Sequence, residues 1–359
     1  MKARAIEVKV ELCERSYSAL VGRGVLGMAK AVVELNRELG NRNVLVLEKV
    51  ADKLWGEHIR ATLSIPAEDT MVVAGGEVAK TWQKAEQLLR QWIELGLGRK
   101  DWVWVVGGGA TLDLVGFAAA VFQRGISWAN IPTTFLAAAD SCLGGKTAVN
   151  LGNLKNYAGV FHQPRVVFCE TELLESLSPR QRSEGLAEVI KCGAIGNAAL
   201  LGYLEPRLAD LRSGKLIPEA AISGALAVKA RLVGEDERDE GVRRYLNFGH
   251  TIAHVLERLC KPVPSHGAAV AQGMVVEGRL ALELGLINRD ELDYLTKLVT
   301  ELKLPAIVLP DIKEALPLLS RDKKRTGSGI PFALPSPLGA AQVVEVEEKK
   351  LMEFWKNLN

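Results

Sequence analysis

The amino-acid sequence predicts an α/β region over residues 1–175, followed by a mainly α-helical region over residues 176–359. Short apolar runs rich in Val, Ile and Trp alternate with helical patterns in the first region, which is typical of a parallel sheet covered on both faces. In the second region the strand candidates stop and long amphipathic segments follow. A length of 359 residues is sufficient for two domains, each with its own core.

The elements of the first region follow one another in a regular order. The N-terminal run MKARAIEVKVEL alternates in polarity like a strand. Further strands are predicted at residues 44–47, 71–73, 102–106, 127–131 and 166–168. Helices are predicted between them, near residues 24–39, 52–64, 78–95 and 111–123.

The second region has the pattern of a helical domain that ends in one or two strands. Apolar residues recur with helical spacing in residues 179–194, 219–234, 250–260, 267–284 and 289–302. A polar loop over residues 321–329 then precedes two strand candidates, 330–334 and 341–346.

The composition is that of an ordinary globular protein, with 48% apolar and 25% charged residues. A net charge of +2 gives no reason to expect nucleic acid or an anionic membrane as a partner. No apolar run reaches the roughly 18 residues of a membrane span, and the N-terminus lacks the apolar core of a signal peptide. Five scattered cysteines without a CxxC pair predict reduced thiols and a cytoplasmic location.

Three of the five histidines fall close together, at His250, His254 and His266. Because histidine is the commonest metal ligand, the cluster predicts a metal or proton-transfer site. His250 and His254 are four residues apart and share a helix face, which is also the pattern of an ordinary polar face. His266 follows a proline-rich turn and begins the next helix, which can bring it back towards His250.

A catalytic metal site also needs a further ligand, and a carboxylate is expected. Glu188 is the candidate because its neighbours in GLAEVIKCG are apolar, so its side chain can point inwards. Its spacing from Lys191 fits an exposed ion pair equally well. Lys229 lies in a helix of small and apolar residues, and a buried lysine requires an anionic partner.

Two glycine turns each follow a predicted strand. The glycines 107–109 lie between a strand and a helix, where backbone can approach a phosphate closely, although a plain tight turn has the same pattern. The glycines 75–76 precede Glu77 and Lys80, and two such turns suggest one shared crevice. Glu48 ends the strand 44–47 and could accept hydrogen bonds from a ribose, or could be a solvated loop carboxylate.

A stretch rich in small residues, IPTTFLAAADSCLGGKTAVN, is predicted to be a loop that binds an anion. It carries Thr133, Thr134, Asp140 and Lys146, and is followed by Lys155 and Asn156. A structural loop with solvated lysines is the alternative.

Six motifs of the chain resemble, in order and spacing, those of the 3-dehydroquinate synthase family. They are GGGATLDLVGFAAAVFQRG, PTTFLAAADSCLGGKTAVN, GLAEVIKCG, LNFGHTIAH, HGAAVAQGM and RDKKRTG. The resemblance covers roughly residues 44 to 335. It implies a Rossmann-like NAD-binding domain followed by an α-helical metal-binding domain, usually in a homodimer.

The resemblance implies a lyase of the shikimate pathway, which leads to chorismate and the aromatic amino acids. The expected reaction converts 3-deoxy-D-arabino-heptulosonate 7-phosphate to 3-dehydroquinate and phosphate. It proceeds through transient oxidation at C5 by NAD, phosphate elimination, re-reduction, ring opening and aldol closure. A divalent metal, zinc or cobalt, is expected to act as a Lewis acid.

The resemblance also assigns roles to individual positions. The metal ligands are expected to be Glu188, His250 and His266. NAD contacts are expected from Glu48, Glu77, Lys80, Gly107, Gly108, Gly109, Asp113, Thr133, Thr134, Lys146 and Lys155. Substrate contacts are expected from Asp140, Lys191 and Asn247 at ring hydroxyls, Lys229 and Arg243 at the carboxylate, and Lys146, Asn156, His254 and Lys323 or Lys324 at the phosphate. Arg124 matches an arginine at or across the dimer interface.

Three alternatives stay open. Sister sugar-phosphate cyclases make inosose or valiolone rings, but inosose relatives carry an acid where Asn247 stands, and valiolone relatives generally lack a histidine at the position of His254. A metal-dependent NAD alcohol dehydrogenase would differ in showing net NAD turnover. A non-catalytic NAD- or metal-binding descendant of the enzyme is opposed by the full set of polar residues.

Overall fold

The computed structural model describes residues 5–152, 154–320 and 329–358, and the chain forms two compact units. The first unit comprises Met1–Leu177 and Ile217–Arg238, and the second comprises Ser178–Leu216 and Asp239–Asn359. The sequence predicts one division near residue 175, whereas in the structure the chain returns once to the first unit. The lysines 323 and 324 lie outside the described residues.

The strands form one large sheet and two hairpins. In chain order they are β1 (Ile6–Val10), β2 (Tyr17–Gly22), β3 (Asn43–Glu48), β4 (Thr70–Val73), β5 (Trp102–Gly107), β6 (Ser127–Pro132), β7 (Lys146–Leu151), β8 (Leu154–Phe161), β9 (Val166–Glu170), β10 (Gly329–Pro335) and β11 (Ala341–Glu347). The large sheet has seven strands in the order β1-β2-β9-β6-β5-β3-β4, and the hairpins pair β7 with β8 and β10 with β11.

The large sheet is parallel except at one edge, where β1 runs antiparallel to β2. Residues 44–47 of β3 and 103–106 of β5 are fully buried. Consecutive buried residues are expected where helices cover both faces of a parallel sheet. The predicted parallel sheet is therefore confirmed, whereas β2 was not predicted.

The helices also agree with the predicted order, and additional short ones occur in the second unit. They are α1 (Leu26–Glu38), α2 (Lys49–Leu63), α3 (Trp82–Glu94), α4 (Gly109–Val121), α5 (Pro179–Gly196), α6 (Ala198–Leu204), α7 (Leu208–Ser213), α8 (Glu219–Glu235), α9 (His250–Leu259), α10 (His266–Glu283), α11 (Arg289–Glu301), α12 (Ile312–Leu319) and α13 (Glu348–Lys356). Among the described residues, none of these helices combines the length and apolarity that a bilayer span would need.

The main core of the first unit lies between the sheet and helices α1 and α2. Alternate residues of β3 and β5, namely Leu45, Leu47, Trp104 and Val106, point into it because side chains on a strand alternate between faces. Helix α4 packs on β5 and β6, and α8 packs on β1 and β2. These contacts explain why α8, late in the chain, belongs to the first unit.

The predicted anion-binding loop is partly a β-hairpin, so that expectation is wrong in its secondary structure. Strands β7 and β8 pair antiparallel with an irregularity between Val149 and Leu151. Most of β8 is exposed, and its sequence LKNYAGVF lacks the alternation that marks a half-buried strand. Backbone pairing with β7, which the sequence pattern does not reveal, makes it a strand.

The second unit is helical, as predicted, with the β10–β11 hairpin at its end. Helix α5 begins with a capping box in which Ser178 and Gln181 bond each other's backbone, and Pro179 occupies the first helical position. Helix α10 packs against both α5 and α9. This three-helix contact brings residues from distant parts of the chain together.

Candidate metal centre and cofactor site

Three metal-ligating side chains of the second unit converge on one point. The Nε2 atoms of His266 and His250 lie 3.2 Å and 3.6 Å from the same Glu188 oxygen, Oε1. One ligating atom from each residue lies within 4.8 Å of the others, a spacing that could hold a metal ion. A Glu and two His provide three protein ligands and leave a coordination position open, as in catalytic zinc sites.

Three helices position these side chains. Glu188 lies on α5 and is fully buried, while His250 and His266 are the first residues of α9 and α10. The two imidazole centroids are 5.3 Å apart, so the chain does bring His266 back to His250. The His266 side chain is 38% exposed and that of His250 is 14% exposed, so solvent reaches the cluster from the side of His266.

The second ring nitrogen of each histidine has its own partner. His266 Nδ1 donates to Glu257 Oε1 at 2.9 Å, and His250 Nδ1 donates to the Phe248 carbonyl at 3.2 Å. Such partners set the tautomer, so that Nε2 faces the metal. Glu257 was missed in the sequence, although its position seven residues after His250 places it on the same side of α9.

The charges in the cluster set its protonation. Burial raises the pKa of Glu188, but Lys191 and the two histidines outweigh burial and hold that pKa well below its usual range. Burial lowers the pKa of His250 to about 3. Burial also lowers the pKa of His266, but the bonds to Glu188 and Glu257 outweigh it and raise that pKa to about 10. At neutral pH, therefore, His266 carries the proton that a metal ion would have to displace.

Other predicted residues of the second unit surround this cluster to different degrees. Lys191 is buried and its Nζ lies 2.6 Å from Glu188 Oε2, so the pair is not an exposed ion pair. His254 is exposed and lies one turn after His250, with ring centroids 5.9 Å apart. Arg243 is buried, and Asn247 ends the short 3₁₀ turn that leads towards α9.

The two glycine turns of the first unit meet at Glu48. Glu48 Oε2 accepts hydrogen bonds from the Gly108 N–H at 2.7 Å and the Thr111 hydroxyl at 2.9 Å. A Cβ added at Gly75 or at Gly107 would overlap or crowd the Glu48 side chain. Strand β3 lies between β4 and β5, so both turns flank its end and contact the same Glu48 side chain.

A second network joins Lys80 to the β7–β8 hairpin. Buried Lys80 donates to Asp113 and to Asn156. Asn150 donates to Glu77 Oε1 at 2.8 Å and accepts from the Asn156 N–H at 2.9 Å. Burial raises the pKa of Asp113, although Lys80 opposes this effect. The network unites three predicted cofactor residues with one predicted phosphate residue, while Asn150 was not predicted.

Buried Lys229 forms an ion pair with the partly exposed Asp140 in the first unit. Lys229 Nζ donates to the Asp140 carbonyl at 2.7 Å and to its carboxylate at 3.0 Å, which provides the anionic partner that the sequence requires. Asp140 lies in a π-helical turn, Ala137–Ser141.

The other predicted residues of the first unit lie beside the glycines 107–109 or on the surface. Thr133 pairs its N–H with the Gly107 carbonyl, and the Thr134 hydroxyl accepts from the Ala137 N–H at 3.1 Å. Gly109 begins α4. Lys146, Lys155 and Arg124 are exposed.

Family models match most of the chain. The model described as "3-dehydroquinate synthase N-terminal" matches residues 70–184, and the model "3-dehydroquinate synthase C-terminal" matches residues 185–325. The border between the two matches lies inside α5, three residues before Glu188.

Curated relatives match nearly the whole length of the chain. A 3-dehydroquinate synthase of Caldanaerobacter subterraneus subsp. tengcongensis is 37% identical over 98% of this chain and 99% of its own. A 3-dehydroquinate synthase of Bradyrhizobium sp. is 35% identical over 97% of this chain and 95% of its own.

Solved structures of related cyclases share the fold. A 2-deoxy-scyllo-inosose synthase complexed with carbaglucose-6-phosphate, NAD+ and Co2+ superposes with a TM-score of 0.86 at 26% identity, over 97% of this chain and 98% of its own. The 2-epi-5-epi-valiolone synthase of Streptomyces hygroscopicus subsp. jinggangensis, with NAD+ and Zn2+ bound, has a TM-score of 0.83 at 26% identity. The match covers 95% of this chain and 96% of that synthase. The predicted fold class is confirmed, and the chain belongs to the 3-dehydroquinate synthase family.

Proposed function

We propose that this protein is an enzyme that converts 3-deoxy-D-arabino-heptulosonate 7-phosphate to 3-dehydroquinate and phosphate. The observation that carries the proposal is the convergence of two imidazole nitrogens on one Glu188 oxygen, at 3.2 Å and 3.6 Å, in a member of this family. A descendant that had lost metal binding would have no need to keep such a donor set, with each histidine oriented by its own partner. A descendant that binds metal without catalysis would release no phosphate.

The donor set fits a divalent metal such as zinc or cobalt. Glu188, His250 and His266 are the proposed ligands, and imidazole and carboxylate suit either metal. Glu188 is held ionised and His250 neutral, which are the forms that bind a cation. Bound metal would supply a Lewis acid at the C5 oxygen, and bound NAD would supply a reversible hydride acceptor.

The first unit provides the proposed NAD site. The Gly108 N–H at the start of α4 already binds a carboxylate oxygen, so this turn is able to bind an anion such as a pyrophosphate. Glu48, at the end of β3, is the proposed ribose ligand. Supporting contacts are proposed for Glu77, Lys80, Gly107, Gly109, Asp113, Thr133, Thr134, Lys146 and Lys155.

Cationic and polar side chains are proposed to hold the substrate. Arg243 suits a carboxylate because a guanidinium can bind both oxygens at once, and Lys229 is the second proposed contact there. Asp140, Lys191 and Asn247 are proposed for ring hydroxyls, and Lys146, Asn156, His254 and Lys324 for the phosphate. Fixing one substrate through several steps requires many such contacts.

The sister cyclases are the main rivals. The two 3-dehydroquinate synthases described above are 35% and 37% identical to this chain, whereas the two inosose and valiolone synthases of known structure described there are each 26% identical. Asn247 and His254 also support the dehydroquinate reaction, because the inosose relatives carry an acid at the first position and the valiolone relatives generally lack a histidine at the second. The oxidoreductases of similar fold, such as a 1,3-propanediol oxidoreductase at 12% identity, share the fold alone.

The test is a product analysis with candidate sugar phosphates in the presence of trace NAD and zinc or cobalt. We expect phosphate and 3-dehydroquinate from the heptulosonate phosphate while the absorbance of NADH stays flat. Steady NADH formation would indicate a dehydrogenase instead. Phosphate release from another sugar phosphate, but not from the heptulosonate phosphate, would indicate a sister cyclase.

We also propose a cytoplasmic homodimer with Arg124 at the interface. Arg124 is exposed and, with Gln123, has a positive φ of 67° and 48° respectively, a conformation uncommon for residues other than glycine. Light scattering on the purified protein would give the assembly state. Arg124→Ala is expected to lower activity and weaken dimerisation, and a monomeric wild-type protein with full activity would contradict the proposal.

A further inference from the structure

Helix α10 carries a carboxylate that the proposed reaction does not use. Glu277 is fully buried, and its neighbours Val276 and Gly278 are buried as well. Removing a carboxylate from water costs several kcal/mol unless hydrogen bonds replace the lost hydration. A buried acid that far inside a helix therefore requires specific partners.

The partners of Glu277 are backbone groups at the start of α9. Glu277 Oε2 accepts from the Gly249 N–H at 2.6 Å, and Oε1 accepts from the Ile252 N–H at 3.0 Å. Gly249 is the N-cap of α9 and has no side chain to bond those groups. Glu277 thus performs, from another helix, the capping that a Ser or Asp at the N-cap usually performs.

The capped N–H groups lie on either side of a proposed metal ligand. His250 is the first residue of α9, between Gly249 and Ile252, and α10 itself begins with His266. Through these hydrogen bonds Glu277 joins α10, which begins at His266, to the first turn of α9, which begins at His250. Space is also tight here, because a Cβ added at Gly273 would overlap the Gly249 carbonyl.

We propose that Glu277 is a positioning residue for the divalent-cation site, holding the first turn of α9 on α10 so that His250 Nε2 stays directed at Glu188. This inference rests on the proposed function, since it takes the three donors to be metal ligands. Because the hydrogen bonds to Gly249 and Ile252 fix the backbone on both sides of His250, its imidazole ring can adopt fewer positions. Loss of the cap would let the first turn of α9 fray, and the donor set would then no longer be preformed.

Two opposed effects act on the pKa of Glu277. Burial raises its pKa to about 8, while the N–H groups of Ile252, Gly249 and Thr251 act against that rise. Both carboxylate oxygens accept an N–H, as the ionised form does, and the positive end of the α9 dipole favours that charge. Variants are therefore best compared above pH 8, where the carboxylate is ionised.

Glu277→Gln tests the proposal because it keeps the shape but replaces one acceptor oxygen by an NH₂ group that faces an N–H. Partners that orient metal ligands typically change metal affinity by about 10–100-fold when they are removed. We expect the dissociation constant for zinc, measured by chelator competition on the apoprotein, to rise by about tenfold or more. The d–d absorption spectrum of bound cobalt should also change, and the dissociation constant for NAD should not.

A matched control exists in the first unit. Glu170 is buried and bonds the N–H groups of Gly24 and Leu26 at the start of α1, at 3.0 Å and 3.2 Å, from the end of β9. Helix α1 carries none of the proposed site residues. Glu170→Gln should therefore lower the melting temperature, like Glu277→Gln, and leave zinc affinity and the cobalt spectrum unchanged.

The outcomes separate the two proposals. If the wild-type protein binds no divalent cation, the proposed function fails. If the wild type binds zinc and Glu277→Gln melts earlier but binds it with the same dissociation constant and cobalt spectrum, Glu277 is only a structural cap. Should Glu277→Gln not fold, Glu277→Asp keeps both oxygens on a shorter side chain, and an unchanged cobalt spectrum in that variant would overturn the positioning role.

Discussion

The two candidate clusters of this protein are built in different ways. In the second unit Glu188, His250 and His266 point at one spot, and partners such as Glu257 orient them from behind. In the first unit the side chains of the candidate cofactor site already have hydrogen-bond partners within the protein, as Glu48 accepts from the Gly108 N–H and Lys80 donates to Asp113. The metal ligands are therefore already in place, and a metal ion would displace the proton shared by His266 and Glu188, whereas cofactor binding would exchange a larger set of hydrogen bonds. Replacing a metal ligand, or the residue that orients it, should therefore weaken metal binding in the second unit. Displacing Glu48 should weaken cofactor binding in the first unit.

The largest effect is expected from His266→Ala, which removes one of three proposed ligands. Metal content measured after dialysis should fall to background, and phosphate release should be abolished, because two remaining ligands hold a metal weakly. His58→Ala, at an exposed histidine on α2, is the control and should keep both. Full metal content in His266→Ala would mean that the ligands have been assigned wrongly.

A smaller loss is expected from Glu257→Gln, which leaves all three proposed ligands in place. The carboxylate that accepts from His266 Nδ1 at 2.9 Å would be lost, and metal affinity should fall about 10–100-fold. The pKa of His266 should also fall, since Glu257 helps to raise it. Both can be followed, by chelator competition and by NMR titration of the imidazole. Wild-type affinity would show that the metal cluster does not depend on this partner.

In the first unit, Gly75→Ala should displace Glu48 without straining the backbone. The added Cβ would overlap the Glu48 carboxylate, and Gly75 does not have a positive φ. A hydrogen bond to a charged group contributes about 1.5–3 kcal/mol, so the NAD dissociation constant should rise by about tenfold or more if Glu48 binds the ribose.

Two measurements complete that experiment. Gly98→Ala is the control, because its Cβ would meet only Asp101 at an ordinary 3.6 Å, and zinc affinity should change in neither variant. Tighter NAD binding by Gly75→Ala would show instead that Glu48 competes with the cofactor for the Gly108 N–H.

The smallest expected effect is the release of a proton when the metal binds. At neutral pH His266 is charged, with its pKa raised to about 10, while His250 is neutral and Glu188 ionised. Metal binding should release about one proton, measurable by calorimetry in buffers of different ionisation enthalpy, and affinity should rise with pH until about pH 10. No proton release would contradict the protonation of this cluster.

The same titration affects the stability of the apoprotein. The folded pKa of His266 lies above the unfolded value of about 6.5. Its contribution to stability is therefore fully present below pH 6.5 and lost as pH rises through about 10. Urea unfolding across this range, in wild type and in His266→Ala, would measure it.

The spacing of apolar residues predicted much of the fold. The elements that were not predicted were missed for identifiable reasons. Strands β3 and β5 were predicted because their buried residues form continuous apolar runs. Strand β8 was missed because its residues are mostly exposed and only pairing with β7 defines it. The return of α8 to the first unit depends on contacts with β1 that no local pattern contains.

The sequence by itself determined the family, the order of the elements and the residue types of the candidate sites, because motifs and apolar spacing are properties of consecutive residues. Only the tertiary structure decided the distances between His266, His250 and Glu188. It alone revealed that Glu257 bonds His266, that Glu277 bonds the backbone beside His250, and that Glu48 joins two glycine turns. Those contacts join residues that are far apart in the chain, and the packing of helices and strands, rather than local propensity, sets their distances.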